Sequence, residues 1–440
     1  MIIQELLQHI RAGNNPCTDS RQVKPGDIFF ALQGDHFDGN RFAADALAAG
    51  CSLAVIDDPD YEVSDRCLVV EDVLDTLQSL SLAYRQQFDF PVIGITGSNG
   101  KTTTKELLHA VLLKSYTTIA SKGNLNNHIG VPLTLLSFDK QMEMAIVEMG
   151  ANHRGEIANL SKIAQPTHGL ITNIGKAHLE GFGSIEQVAA AKAELYHYLA
   201  DHQGTFFLNN DNPWLADLNR DINTISYGQA TDNHLTGQMN QSFPFVHITF
   251  MVNKDFGYVK AGTSGSIKSK LTGAYNFENI MAALTTGLFF GVPTGHIIEA
   301  IESYVPVNHR SQVVQTDHNT VIMDAYNANP TSMIAALENL SQFRDQKKAV
   351  LLGDMLELGD YATEEHQKVV EKVNQENVDL RIFVGSHFLS LLDDKEDERT
   401  QVFTHVDEAA KWLSDHPLKG YYILVKGSRT IRMEETLAYL

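Results

Sequence analysis

Cysteine and basic residues are both scarce in this chain. Its 440 residues include three cysteines, Cys17, Cys51 and Cys67, whose odd number and spacing fit neither a disulfide framework nor a zinc site. We expect reduced thiols and a cytoplasmic location. There are 34 Lys and Arg residues against 54 Asp and Glu residues, which gives a net charge of −20. This excess of negative charge argues against nucleic acid as a partner.

Long apolar runs are missing as well. No uninterrupted apolar run approaches the ~18 residues that a membrane span needs. Residues 1–10 carry a Glu inside their apolar run and no basic lead, unlike a signal peptide. We therefore expect no membrane insertion. A composition of 43% hydrophobic and 20% charged residues is ordinary for a globular protein, and the length allows roughly three domains.

The most informative stretch is a glycine-rich turn between a predicted buried strand, Val92–Thr96, and a predicted helix. Such a turn directs backbone N–H groups into a concavity at a helix N-terminus, which favours a phosphate. Lys101 would add its charge at the β- and γ-phosphates, and Thr102 a hydroxyl ligand for Mg²⁺. The predicted phosphate-binding residues are Gly97, Ser98, Asn99, Gly100, Lys101, Thr102 and Thr103.

Charged side chains follow the next predicted strands. Glu148 ends the strand over 144–150, where the strands of α/β sheets present ligands, and an acidic residue beside a phosphate loop is typical of a metal ligand. The strand over 169–175 delivers His178 and Glu180 to the same edge. His178 could reach a shared cation, although a satisfied surface or core histidine is the alternative.

Lys192 lies on the apolar face of a helix that Ser184 is predicted to cap. An unpaired ammonium group there is unfavourable, so we expect a lowered pKa or a partner. A neutral amine can react with CO₂ to give a carbamate, an anionic oxygen ligand. The alternative is a side chain that extends its charge to solvent.

Three further polar motifs have simple structural alternatives. Ser20 and Arg21 could hold a diphosphate or form a solvated turn. Asn126 and Asn127 lie in a polar loop before an apolar helix. Asn276 and Asn279 are near the start of a helix, where Asn is a favoured cap.

The C-terminal part of the chain alternates strands and helices, which predicts a small doubly wound domain. One strand, Thr320–Asp324, is followed by Asn329 as a helix cap and Pro330 at the first helical position. Other strands lead into Gly353-Asp-Met-Leu-Glu-Leu-Gly359 and Val425-Lys-Gly-Ser-Arg429. Their polar ends should face a cleft.

The sequence resembles the Mur ligase and folylpolyglutamate synthetase superfamily. The resemblance rests first on Thr96-Gly-Ser-Asn-Gly-Lys-Thr102, a shortened loop with Ile95 where the general phosphate-loop pattern has glycine. It implies an α/β protein of three domains. These are a small nucleotide-sugar domain over 1–85, a central ATPase domain with a mostly parallel sheet over 86–305, and a Rossmann-like domain over 306–440.

The resemblance also implies roles for individual residues. Lys101, Glu148, His178 and a carbamylated Lys192 would be catalytic, with two Mg²⁺ ions held by Thr102, Glu148, His178 and Lys192. Asn276 would read the adenine of ATP, and Arg310 and Asp324 would clamp its phosphate and ribose. Ser20 and Arg21 would meet the uridine diphosphate end of the substrate, and Asn126 and Asn127 its peptide.

The C-terminal signatures resemble the family members that add a dipeptide. They imply that the chain joins D-alanyl-D-alanine to UDP-N-acetylmuramoyl-tripeptide, as a monomer, in the last cytoplasmic step of peptidoglycan precursor synthesis. The residues expected to meet the dipeptide are Tyr326, Asn327, Asn329, Lys426 and Arg429. Two alternatives are a family ligase that adds a single amino acid and a non-catalytic nucleotide-binding or scaffold protein.

Overall fold

Three sheets follow one another along the chain in the computed structural model, which describes residues 2–34, 36–218, 222–343, 346–392 and 397–440. They have four, nine and six strands, and a two-stranded hairpin lies within the first region. None of the helices in the described part of the chain combines the length and apolar surface that crossing a bilayer requires.

The first sheet is parallel, with the strand order β1-β2-β5-β6. Ile28, Phe30 and Val55 fill its core, which is continuous with the core under the central sheet. Its strands and the hairpin β3-β4 are Pro16–Cys17, Ile28–Phe30, Gln33–Gly34, Phe37–Asp38, Leu53–Ile56 and Cys67–Val69. Helices α1 to α3 are Ile2–Arg11, Ala43–Ala48 and Val73–Arg85.

The central sheet has nine strands in the order β15-β14-β13-β12-β11-β10-β7-β9-β8. It is parallel from β8 to β13, and its last two pairings are antiparallel. Strands β7 to β15 are Val92–Thr96, Thr118–Ala120, Met144–Glu148, His168–Ile171, Thr205–Asn209, Asn223–Gly228, Leu235–Gln241, His247–Val252 and Ser264–Lys268. Helices α4 to α11 are Lys101–Leu112, Gly130–Leu136, Glu156–Ala164, Leu179–Phe182, Ile185–Asp201, Pro213–Ala216, Asn276–Phe289 and Thr294–Ser303.

Helices cover both faces of the central sheet, which explains why its inner strands are apolar throughout. Residues of α4, α10 and α11 form the core on one face, and residues of α5, α6 and α8 form the core on the other. Because the inner strands are parallel, their carboxyl ends meet at one edge, where β7 and β9 end at Thr96 and Glu148.

The third sheet has the order β16-β17-β21-β18-β19-β20 and is parallel apart from the edge pair β16-β17. Strands β16 to β21 are Gln312–Gln315, Thr320–Asp324, Lys347–Gly353, Leu380–Val384, Thr400–Phe403 and Tyr421–Lys426. Helices α12 to α15 are Pro330–Ser341, Ala362–Gln375, Ser386–Leu392 and Val406–Asp415. Helix α12 starts as expected, with Asn329 in a capping box with Ser332 and Pro330 at the first position.

The expected α/β fold with three regions is therefore confirmed, while the exact boundaries at 85/86 and 305/306 stay a prediction. The capping role considered for Asn276 and Asn279 is wrong. Helix α10 begins at Asn276 itself, after Tyr275, which makes no side-chain capping bond. Asn276 instead donates to the carbonyl oxygen of Thr272 (2.7 Å), and Asn279 donates to Asn276 (2.8 Å); both side chains are buried.

Candidate active site

The glycine-rich turn at the end of β7 has little spare space. Gly97 and Gly100 have φ angles of 138° and 78°, in the left-handed region that favours glycine. A Cβ atom at Gly97 would lie 2.0 Å from the Thr172 hydroxyl, and one at Gly100 would lie 2.3 Å from the Asn279 amide oxygen. The turn therefore requires glycine at both positions, and α4 starts directly after it.

Lys101 folds back over this turn. Its ammonium group donates to the carbonyl oxygens of Gly97 (2.6 Å) and Ser98 (3.2 Å). Burial lowers the pKa of Lys101, an effect that the negative charge of Glu148 opposes. The carbonyls are neutral partners, so a phosphate oxygen that replaced one of them would supply the missing negative charge.

Glu148 stands at the centre of the site and is 2% exposed. Its carboxylate accepts hydrogen bonds from the Thr102 hydroxyl (3.0 Å) and the Asn126 amide (2.9 Å), and it lies 3.2 Å from the Lys105 ammonium group. Burial raises its pKa, but the charges of Lys105 and Lys101 outweigh burial and lower it overall. Glu148 is therefore held as a carboxylate beside a hydroxyl, a donor pair that suits Mg²⁺.

Lys192 is one of the largest fully buried side chains of the described residues. Its Nζ donates to the carbonyl oxygen of Ala151 (3.2 Å) and lies 5.2 Å from the Phe182 ring centroid. Burial, helped by the positive charge of Lys101, lowers the pKa of Lys192 to about 7. A substantial fraction of this amine is therefore neutral near pH 7, as the sequence predicted.

His178 lies just past β10 and caps α7 with a positive φ of 52°. Its Nδ1 is 2.5 Å from Oε2 of Glu357, which belongs to the third sheet's region. Among the residues that the structure describes, no group of three or more His, Cys, Asp or Glu side chains is arranged to hold a metal. The predicted metal set rests on only two such side chains, Glu148 and His178, and stays a prediction.

The two asparagines of the loop before α5 have different partners. Asn126 reaches Glu148, inside the site. The side-chain amide oxygen of Asn127 accepts from the backbone N–H groups of Ile129 (3.1 Å) and Gly130 (2.9 Å) and so holds the loop. The structure thus gives Asn127 the capping role that was its alternative, and a substrate contact by either residue stays a prediction.

Asn276 belongs to a chain of hydrogen bonds that joins α4 to α10. The Thr104 hydroxyl donates to Asn279 (3.0 Å), Asn279 donates to Asn276, and Asn276 donates to the Thr272 carbonyl oxygen. Asn276 is 2% exposed. Contact with adenine therefore requires this amide to share or exchange partners, and that role stays a prediction.

The carboxyl edge of the third sheet carries its own charged pair. Lys426 at the end of β21 forms a 2.6 Å ion pair with Asp324 at the end of β17, and it donates to the Asn327 carbonyl oxygen (3.2 Å). Asp324 also accepts from the backbone N–H of Ser311 (3.0 Å). The structure pairs these two side chains, which were predicted to meet different ligands, so their charges neutralise each other.

Two guanidinium groups stack on one ring beside this pair. Arg310 lies 3.6 Å and Arg429 5.2 Å from the centroid of the Tyr326 ring. The Nε of Arg310 is buried and has no hydrogen-bond partner among the described residues. An unpartnered donor on a cation is suited to an anionic ligand, which is consistent with a phosphate clamp.

The third region contacts the phosphate loop directly. The Asn329 amide donates to the side-chain oxygen of Asn99 (2.7 Å), and the Lys176 backbone N–H donates to the Thr331 hydroxyl (3.0 Å). Asn99 and Asn329 were predicted to bind different substrates, and the structure brings them together. The two sheet edges therefore face each other in this structure.

Ser20 and Arg21 lie apart from this cluster, in a short 3₁₀ turn capped by Asp19. The Arg21 guanidinium is exposed and makes two hydrogen bonds to the Asp19 carboxylate (2.8 and 2.9 Å). This is the solvated turn that was the alternative interpretation. The two bonds use Nε and Nη2 and leave Nη1 for an anion, and the predicted contact with a diphosphate stays a prediction.

Sequence reasoning missed two residues of the site. Lys105, the ion-pair partner of Glu148, lies one helical turn after Lys101, and this spacing would have identified it. Glu357 lies in the Gly353–Gly359 signature, but nothing in the sequence indicated that it contacts His178.

Comparisons with known proteins agree with this architecture. Three family models match the chain: the Mur ligase family catalytic domain over 17–85, the Mur ligase middle domain over 95–287, and the Mur ligase glutamate ligase domain over 309–429. The chain belongs to the Mur ligase family.

Its relatives define a narrower group. The UDP-N-acetylmuramoyl-tripeptide–D-alanyl-D-alanine ligase of Bacillus subtilis is 34% identical over 95% of this chain and 91% of its own length. The Escherichia coli ligase of the same name is 31% identical over 96% and 92%. A crystal structure of MurF from Acinetobacter baumannii has a TM-score of 0.84 and 31% identity over 98% of this chain and 97% of that one. MurF ligase from Thermotoga maritima, solved with ADP, has a TM-score of 0.82 and 28% identity over 97% and 96%.

Proposed function

We propose that this chain is an ATP-dependent ligase that joins D-alanyl-D-alanine to UDP-N-acetylmuramoyl-tripeptide and so completes the pentapeptide precursor of peptidoglycan. The observation that carries this conclusion is the match along nearly the whole chain to ligases of that name, with the third region included. Lys101, Thr102 and Glu148 are arranged at the phosphate loop as such chemistry needs.

The reaction has two steps. A carboxylate acylates an amine poorly, because its leaving group would be hydroxide or oxide. An oxygen of the tripeptide carboxylate therefore attacks the γ-phosphorus of ATP, and ADP leaves with the bridging oxygen. The amine nitrogen of D-alanyl-D-alanine then attacks the acyl carbon of this acyl phosphate. Phosphate leaves, the nitrogen loses a proton, and an amide bond remains.

Positioning and charge compensation carry phosphoryl transfer. We assign the binding of the ATP phosphates to Lys101 and the N–H groups of residues 97–103, with Arg310 contacting the phosphate from the third region. Arg310 suits this task because its Nε is buried beside the loop without a partner among the described residues. Asn276 and Asp324 are proposed to contact adenine and ribose.

Two Mg²⁺ ions would be held by Thr102, Glu148, His178 and Lys192. The adjacent hydroxyl and carboxylate of Thr102 and Glu148 fit a hard cation. When bound, Mg²⁺ neutralises phosphate charge. The protein's own contribution is to keep Glu148 ionised, since the Lys105 ammonium group lies 3.2 Å from it.

Lys192 is proposed to act as a carbamate. Its neutral amine attacks CO₂, a nitrogen–carbon bond forms, and the nitrogen loses a proton, which leaves an anionic carboxylate on the side chain. A pKa of about 7 supplies the neutral amine. Bicarbonate labelled with ¹³C should give a carbamate signal that Lys192→Met abolishes. A well-resolved map from crystals grown with bicarbonate that shows a bare amine would contradict the carbamate.

The remaining site residues are assigned to the two other substrates. Ser20 and Arg21 are proposed to meet the diphosphate, and Asn126 and Asn127 the peptide of the acceptor. The residues proposed to present the dipeptide are Tyr326, Asn327, Asn329, Lys426 and Arg429. All of these lie on one chain, so a monomer suffices, and we expect the reaction in the cytoplasm, where ATP is made.

The test is phosphate release by the purified protein with Mg²⁺-ATP, UDP-N-acetylmuramoyl-tripeptide and D-alanyl-D-alanine, each omitted in turn, with mass detection of the product. We expect release only with all three and a product heavier by the dipeptide minus water. If a single amino acid replaces the dipeptide, the chain is another ligase of the family. If ATP is never consumed, the non-catalytic alternative is correct.

A further inference from the structure

The segment that carries His178 is held by residues of the third region at several points. The backbone N–H of Glu180 donates to the Glu357 carbonyl oxygen (3.1 Å), and the Tyr361 hydroxyl donates to the Gly183 carbonyl oxygen (3.0 Å). The Lys176 ammonium group pairs with Glu365 at 2.6 Å. Together with the contact between Glu357 and His178, these bonds span residues 176–183 from end to end.

Glu357 itself is held in an uncommon backbone conformation. Its φ of 61° lies in the left-handed region, which a non-glycine residue keeps only where its surroundings demand it. Neighbouring backbone groups supply that demand: the N–H of Met355 donates to His366 (3.0 Å), and the N–H of Leu356 donates to the Ser428 hydroxyl (2.9 Å). Both His366 and Ser428 are buried.

Asp354 anchors the start of the same loop. It is 2% exposed, and its two carboxylate oxygens accept from the backbone N–H groups of His387 (2.9 Å) and Phe388 (3.1 Å) at the start of α14. Its own carbonyl oxygen accepts from the N–H of Ser428 (3.0 Å). Hydrogen bonds to buried groups of the third region therefore hold the loop in place, and this fixes the direction of the Glu357 side chain.

We propose that Glu357 is a positioning residue for His178, and that it acts only while the third region is packed against the central one. This inference rests on the proposed function. The carboxylate oxygen lies 2.5 Å from Nδ1 of His178, at an angle too bent for a hydrogen bond, so Nδ1 has a close negative charge but no hydrogen-bond acceptor in line among the described residues. A carboxylate at Nδ1 favours the tautomer with its hydrogen there, which leaves the lone pair of Nε2 for a ligand or for a polar group of the substrates. The imidazole of His178 is therefore oriented by Glu357 only when the third region packs against the central one.

The primary experiment reads the tautomer of His178 in the full-length protein without ATP or metal. Protein with ¹⁵N-labelled histidine gives long-range ¹H–¹⁵N correlations, and the loss of one ring pattern in His178→Asn assigns it. We expect the Nδ1–H tautomer in the unsubstituted protein and a mixture of tautomers in Glu357→Gln. An unchanged His178 pattern in Glu357→Gln would overturn the proposal.

Two control variants separate Glu357 from general packing. Tyr361→Phe removes another contact between the same two regions without touching the imidazole, and Glu364→Gln changes an exposed carboxylate of α13. Both should retain the His178 pattern of the unsubstituted protein. If Tyr361→Phe produced the same mixture as Glu357→Gln, packing as a whole rather than Glu357 would set the tautomer, and the proposal would be wrong.

A double-mutant cycle supplies the second readout. Glu357→Gln should lower kcat about 10–100-fold, the usual effect of removing the partner of a ligating histidine. In the His178→Ala background it should have no further effect, because its target is gone. If the kcat losses of the two single variants multiply in the double variant, Glu357 does not act through His178. If the unsubstituted protein forms no amide, the proposed function fails, while the tautomer measurement still tests Glu357.

Discussion

The carboxyl edges of the central and third sheets differ in the partners of particular lysines. At the central edge, Lys101 and Lys192 donate to neutral carbonyl oxygens. At the third edge, Lys426 pairs with Asp324 at 2.6 Å. Both edges are built from parallel strands with polar residues at their ends, so the fold class does not explain the difference. The central edge holds the buried ion pair of Lys105 and Glu148 but leaves Lys101 and Lys192 on neutral partners, whereas Lys426 of the third edge is paired with a carboxylate.

This difference has an energetic meaning. A buried ammonium group without an anionic partner is destabilising by several kcal/mol, and proteins commonly neutralise it. The lowered pKa of Lys192, about 7, reflects that penalty. At the central edge this penalty falls on the site that we propose binds phosphate, CO₂ and metal, whereas the third edge holds Arg310 and Arg429 on the Tyr326 ring beside its ion pair.

The largest expected effect comes from removing the loop lysine. Lys101→Met should reduce phosphate release about 10²–10³-fold, because a positioned cation at the transferred phosphate is lost. The measurement is the initial rate at saturating substrates, with Lys140→Met, a substitution of an exposed lysine, as the control. A rate within a few fold of the unsubstituted enzyme would remove the central edge from the chemistry.

Stability measurements test whether Lys426 and Lys192 contribute differently to the free energy of unfolding. Lys426→Met leaves Asp324 without its ion-pair partner and should destabilise the third region by about 2–4 kcal/mol. Lys192→Met removes the penalty of a buried ammonium group, leaves no unpaired carboxylate behind and should raise stability by about 1–3 kcal/mol. Urea unfolding followed by circular dichroism checks both. Equal losses in the two variants would show that the two edges do not differ as described.

A half-buried histidine at the start of β10, His168, allows a test through the pH dependence of stability. His168 packs against the rings of Phe207, Phe289 and Phe290, and burial lowers its pKa from 6.5 to about 4. The unfolded chain therefore binds a proton at higher pH than the folded chain, so stability falls as pH drops from 6.5 toward 4. Because the ring is partly exposed, we expect about 2 kcal/mol over this interval.

The matched variant is His168→Phe, which should lose this part of the pH dependence while retaining ligase activity at neutral pH. Thermal unfolding between pH 4 and 7 measures it. An unchanged slope would contradict the assignment of this loss of stability at low pH to His168.

The smallest expected effect concerns the contact between the two edges. Asn329→Ala removes the cap of α12 and should destabilise the third region by about 1 kcal/mol. Asn329→Asp keeps the capping oxygen but removes the amide that donates to Asn99. It should retain stability and raise the KM for ATP. If both variants have the same KM as the unsubstituted enzyme, the Asn99 contact has no role in nucleotide binding.

Local signals in the sequence predicted much of the fold and part of the site. The glycines at 97 and 100, the strand ends at Glu148 and Asp324, and the cap at Asn329 are each determined by a few adjacent residues. The capping alternative for Asn276 was wrong because its amide pairs with the Thr272 carbonyl oxygen, which lies before the helix, and with Asn279 inside it.

The partners of charged residues were harder to predict from the sequence. Burial of Lys192 followed from its helical face, but the contact of His178 with Glu357 depends on how two distant regions pack. Arg21 likewise already has a partner, the carboxylate of Asp19. Sequence patterns identify which side chains reach an edge, whereas tertiary packing decides which of them are already satisfied.

The most direct test of the central claim follows one oxygen atom. UDP-N-acetylmuramoyl-tripeptide is prepared with ¹⁸O in both oxygens of its terminal carboxylate and is incubated with the enzyme, Mg²⁺-ATP and D-alanyl-D-alanine in unlabelled water. If the central edge transfers the γ-phosphoryl group to that carboxylate, each phosphate released with product carries one ¹⁸O atom. Phosphate without ¹⁸O would show that ATP is hydrolysed by water, and the account of an acyl phosphate at this site would be wrong.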